Sequence, residues 1–178
     1  MSRFLFPDNT VLCNFAAVDR LDLLENFLRG RGRWTEAVAA ETEASARILP
    51  ALGPLVTAGW LGDPIVVDRA ADIAAVELVR LNVFGGRSSR RTEHLGEAQT
   101  CHVIATWKEF AGSVWISDDR ASLDFADARG MTAWETIDIV RCIIADGDLT
   151  PQAAYDVMID MADADRALTL PNNPGDLR

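Results

Sequence analysis

Short apolar runs set among stretches of helical spacing constrain this chain more than any other feature. Phe4 to Phe6, Ile65 to Val67, Ser113 to Ile116 and Met131 to Trp134 are brief and bounded by turn residues, which suits buried strands. Between them the period changes. Val18, Leu21, Leu24, Phe27 and Leu28 describe an amphipathic helix ended by Gly30 and Gly32. Thr35 reads as the N-cap of an Ala-rich helix that runs to Arg47 and stops at Pro50. Further helices are expected from Asp72 to Leu81, from Glu93 or Leu95 to about Phe110, and from Ala121 to Arg129. Two more should run from Glu135 to Ala145 and, opened by Thr150-Pro151, from Gln152 to Ala164; the tail from Leu170 to Arg178 should fray. Strands alternating with helices in this way make a mostly parallel central sheet covered on both faces, a three-layer α/β/α sandwich.

Composition narrows the function classes. The 178 residues are 49% hydrophobic, enough to bury a core without disulfide or metal staples. A net charge of −10 argues against a nucleic-acid coat protein or a polybasic membrane anchor. No stretch is long and apolar enough to span a bilayer, and no basic-then-apolar signal opens the chain. Cys13, Cys101 and Cys142 lack CxxC spacing and read as free thiols in a reducing, cytoplasmic setting. His94 and His102 have no cysteine spaced to complete a zinc site.

The ends of the strands carry the chemical clue. In sheets of this kind ligands gather beyond the carboxyl ends of the strands. Asp8 follows the first apolar run and Asp118-Asp119 the third. Acids brought to one rim repel unless a cation stands between them. Oxygen donors without nearby histidine or thiol favour Mg²⁺ or Mn²⁺ over zinc. The bland alternative is a helix N-cap plus a first-turn acid.

The segment Phe4-Leu-Phe-Pro-Asp8-Asn9-Thr10 resembles the opening strand of the PIN-domain ribonuclease family. Thr35-Glu-Ala-Val38-Ala-Ala-Glu41 resembles its second motif, and Gly96-Glu97-Ala98 a variant of its third. Val114-Trp-Ile-Ser117-Asp118-Asp119 resembles the fourth, a strand ending in Ser/Thr-x-Asp. The resemblance spans roughly Arg3 to Ala145. It implies a PIN-like nuclease domain over residues 1–146, with 147–178 a helical extension packed on the same domain. It also implies an endoribonuclease, of the kind found as VapC-type toxins in type II toxin–antitoxin pairs. On that resemblance Asp8, Glu41, Glu97 and Asp119 are the catalytic acids. Asp8, Glu97, Asp118 and Asp119 would hold Mg²⁺ or Mn²⁺, with Asp118 competing with Asp119 for the fourth place, and Thr10 and Ser117 would support the carboxylates. Arg87, Arg90 and Arg91, in the loop before Glu97, are the candidates to hold RNA phosphates. Expected partners are RNA, a cognate antitoxin and a second copy in a homodimer, with no membrane.

Two rival readings stand beside it. Asp8-Asn9-Thr10 and Asp118-Asp119 are also similar to haloacid-dehalogenase-type phosphatases, although Thr10 replaces the usual second aspartate and Lys108 lies within a predicted helix. The other rival is a non-catalytic PIN-like binding module. Glu36, Glu43 and Glu93 are expected to face solvent, and the five tryptophans to pack in the core or at its rim.

Overall fold

The computed structural model describes residues 3–178. Its sheet has three parallel strands in the order β1 (Leu5–Pro7), β2 (Val114–Ile116), β3 (Thr132–Trp134). Pro7 stands opposite Ile116, and Ile116 opposite Trp134, so all three strands end on one rim. The other flank of β1 is occupied by single bridges rather than strands. Gly32 bridges Leu5, and Ile65 bridges Thr35. The chain therefore builds outward from β1 on one side through residues 32–35 and 65. It then crosses over to lay β2 and β3 on the other side. Strand order thus reverses between β1 and β2, the position at which open α/β sheets hold their ligands.

Period-two alternation splits the core between the two faces of this small sheet. Leu5, Val114 and Ile116 enter one apolar cluster, while Phe6 and Trp115 enter another. Helices α1 (Asn9–Ala17), α2 (Leu21–Leu28), α3 (Glu36–Ser45), α8 (Thr136–Asp146) and α9 (Pro151–Asp163) supply the first. Helices α5 (Ala70–Asn82), α6 (Leu95–Thr106) and α7 (Arg120–Ala128) supply the second; the short α4 (Leu55–Ala58) caps a connection.

Several expectations need correction. The helix expected from Val18 begins at Leu21, and a separate helix, α1, precedes it. Ile65 to Val67 is no strand: only Ile65 bridges. The helix expected to reach Phe110 stops at Thr106, followed by a 3₁₀ turn over Lys108–Phe110. The tail does not fray. Leu177, 1% exposed, joins the same cluster as Ala154, Val157, Met158 and Met161 of α9, so residues 147–178 complete this core. No helix among the described residues is long and apolar enough to cross a membrane.

Candidate functional site at the rim of the sheet

Asp8 is the first residue beyond β1, and its N–H donates to Ile116 Oof β2 at 2.9 Å. It is also the N-cap of α1, in extended conformation, with Oδ1 accepting the Thr10 N–H at 3.2 Å. Its other oxygen accepts the Ser117 hydroxyl at 2.8 Å. Thr10 thus supports Asp8 through its backbone rather than its hydroxyl. Ser117, buried at the end of β2, also accepts the Asp119 N–H at 3.2 Å. Asp119 in turn caps α7 by accepting the Ser122 N–H at 2.8 Å.

Glu41 arrives from the second turn of α3. Its Oε1 accepts the Gly96 N–H at 3.2 Å. A Cβ at residue 96 would lie 2.9 Å from both Glu41 carboxylate oxygens, so glycine is what lets the backbone of α6 come this close. Glu97 follows in the first turn of α6, with Oε1 3.2 Å from His94 Nδ1. His94 itself sits in the left-handed region, at φ 58°.

These four acids feel one another. Burial, then the charge of Glu97, pushes the Asp8 carboxyl up to about 6; Ser117 and Thr10 pull it down, and Asp119 adds a smaller push. Burial again leads at Glu41, with Glu97 and then Asp8 behind it, and raises that carboxyl to about 8 despite the Gly96 N–H. Asp8, Glu41, Glu97 and Asp119 therefore form one electrostatic group drawn from four separate segments. Among the described residues, one carboxylate oxygen each of Glu41, Glu97 and Asp119 has no protein hydrogen bond. This donor set, all oxygen and mutually repelling, suits a hard divalent cation. It is not a preformed cage: among the described residues no three His, Cys, Asp or Glu side chains converge tightly enough to hold an ion as they stand.

Asp118 stands apart from the group. Its carboxylate accepts the Thr136 N–H at 2.9 Å, the Thr136 hydroxyl at 2.6 Å and the Asn14 amide at 2.8 Å. Burial raises its pKa and the Thr136 bonds oppose the rise. In the competition for the fourth place it is Asp119 that faces Asp8, while Asp118 ties β2 to α1 and α8. Asn14 and Thr136 were not singled out from the sequence, and nothing local marks them.

Two surface expectations also change. Glu36 is half-buried, and its Oε1 accepts Val67 N–H and Gln99 Nε2 at 3.1 and 3.2 Å, which joins α3 to the 65–67 segment and to α6. Glu93 is likewise half-buried and gripped by Arg87 at 2.7 and 2.9 Å, a pairing that holds its carboxyl down to about 2. Glu43 is exposed. Of the three loop arginines, Arg87 is thus committed. Arg90 reaches Glu93 only at 4.0 Å, and Arg91 has no ion pair among the described residues.

Fold and site together define an α/β protein with coupled carboxylates at the rim of a parallel sheet. In comparisons with protein-family models, curated proteins and solved structures, nothing matches the chain.

Proposed function

We propose that this chain is a three-layer, PIN-like endoribonuclease that depends on Mg²⁺ or Mn²⁺, acting in the cytoplasm on RNA and paired with an antitoxin. The observation that carries the reading is the mutual electrostatic coupling of Asp8 with Glu41, Glu97 and Asp119 at the end of β1, where strand order reverses. Asp8, Glu97 and Asp119 would hold the ion. A divalent cation bound there lowers the pKa of a coordinated water and offsets charge developing on a phosphodiester.

The chain's own residues set up that chemistry. Ser117 fixes the Asp8 carboxylate from the neighbouring strand, and Gly96 N–H fixes Glu41. With its carboxyl raised to about 8, Glu41 can carry a proton at neutral pH and give or take one at the edge of the cluster. Arg90 and Arg91 would steady phosphates on the approach. The phosphatase alternative has less support, since it needs a lysine beside the aspartate. Lys108 is exposed on the 3₁₀ turn after α6 and pairs with no carboxylate among the described residues.

The test is RNA cleavage with and without added Mg²⁺ or Mn²⁺, comparing the wild type with Asp8→Asn and Glu97→Gln. Both variants should fold and neither should cleave. Undiminished cleavage by both would remove these carboxylates from the mechanism.

A further inference from the structure

We infer that the cavity beside Glu41 seats one nucleobase of the RNA, next to the phosphate that faces the carboxylates; this rests on the ribonuclease reading above. The cavity holds about 220 Å³ and is lined by Ala37, Ala40, Glu41, Ala44, Thr92 and Leu95. Glu41 belongs to the cavity and to the acidic group alike, so an occupant of one adjoins an occupant of the other.

The shape follows from sequence spacing. Residues 37, 40, 41 and 44 recur at three and four along α3 and form one face of it. Three of them are alanines, which leaves a flat wall of methyl groups opposite Leu95. Ala40 and Ala44 are exposed, at positions where a long polar side chain would disturb no core packing. Their smallness is what opens the slot. Flat apolar walls with a hydroxyl and a carboxyl at the edge match a planar heterocycle, whose faces are apolar and whose rim is polar.

Charge points the same way. The apolar walls offer a phosphate no cation, and the acids coupled to Glu41 beside the slot, Glu97 and Asp8, disfavour one there. The exposed Arg90 and Arg91 directly precede Thr92 and offer a cation to the next phosphate along. A strand laid from the arginines to the acids thus puts a base, not a phosphate, in the slot.

The experiment uses short single-stranded RNAs of six nucleotides, each lacking the base at one position in turn, with binding followed by fluorescence anisotropy in the absence of divalent ions. Ala40→Leu and Ala44→Leu fill the slot from exposed positions, and circular dichroism checks that they fold. Removing one particular base should weaken wild-type binding by about tenfold. The leucine variants should bind intact RNA about as weakly and lose that dependence on the base. Indifference of the wild type to base removal at every position would overturn the inference. So would full base dependence in the filled variants. If RNA is still cleaved in a metal-dependent way in either case, the ribonuclease reading survives and the slot passes to an apolar side chain of a protein partner. If RNA is neither bound nor cleaved, both fall together.

Discussion

Asp8→Asn should make the protein more stable at neutral pH while abolishing cleavage. Asp8 is 7% exposed, and its carboxyl rises from the ordinary 3.8 to about 6, chiefly through burial. A shift of that size corresponds to about 3 kcal/mol. The sign follows from proton binding. As pH rises from 3.8 the unfolded chain ionises Asp8 first, so between 3.8 and about 6 the native state holds more protons than the unfolded state. Stability contributed by this group is therefore full below 3.8 and lost as pH rises through about 6, then flat. Asparagine keeps an acceptor for the Thr10 N–H and a polar group for Ser117, but carries no charge. Urea unfolding at pH 4, 5, 6.5 and 8 should show a gain of about 2–3 kcal/mol at pH 8, shrinking toward zero near pH 4. Mg²⁺ should narrow the gap by stabilising the wild type more than the variant. A difference that does not vary with pH, or a variant less stable at pH 8, would refute the argument from burial and repulsion.

Three further outcomes are expected. Gly96→Ala should leave urea stability within about 1 kcal/mol, because alanine favours the helix and only the flexible end of Glu41 must give way. Single-turnover cleavage should nevertheless fall by about tenfold or more as Glu41 loses its N–H partner. Asp118→Ala should cost about 3 kcal/mol by stranding the Thr136 and Asn14 donors, whereas Asp119→Asn should cost little stability and remove activity; paired unfolding and cleavage assays separate the two. Leu177→Ala should destabilise by about 2–3 kcal/mol in the same unfolding assay, a loss a frayed tail would not give.

How much of this was legible in the sequence depended on whether the signal was local. β2 and β3, the Thr35 and Thr150 caps and the last two helices announce themselves by period and capping. Helix α1 does not. Val11 to Ala16 are all buried, so no polar face interrupts the run to reveal a period of 3.6. The acids that follow strands could be read, yet Asp118 and Asp119 could not be ranked. Their ranking comes from alternation past the end of β2. Ser117 points to Asp8, and Asp119 shares its side, while Asp118 turns the other way to Thr136. Glu36 was misread because its partners, Val67 N–H and Gln99, lie far along the chain. Gly96 carried a signal that spacing alone left unused: a glycine in a helical first turn next to an acid marks close approach.

The Ser117 hydroxyl that steadies Asp8 has a bearing on when in folding the acidic group assembles. It joins residues 109 apart in sequence; Asn14 reaches Asp118 across 104 and Thr136 across 122, and Gly96 reaches Glu41 across 55. Contacts this distant close large loops, and they form late because chain entropy must be lost before they return any free energy. Helices can appear early in refolding, with the four acids still scattered. The same span makes the site an all-or-none property of the native state. Any opening that parts β1 from β2 takes Ser117 from Asp8 and Asp118 from Asn14 in one event, so a partly folded chain has secondary structure but no assembled site.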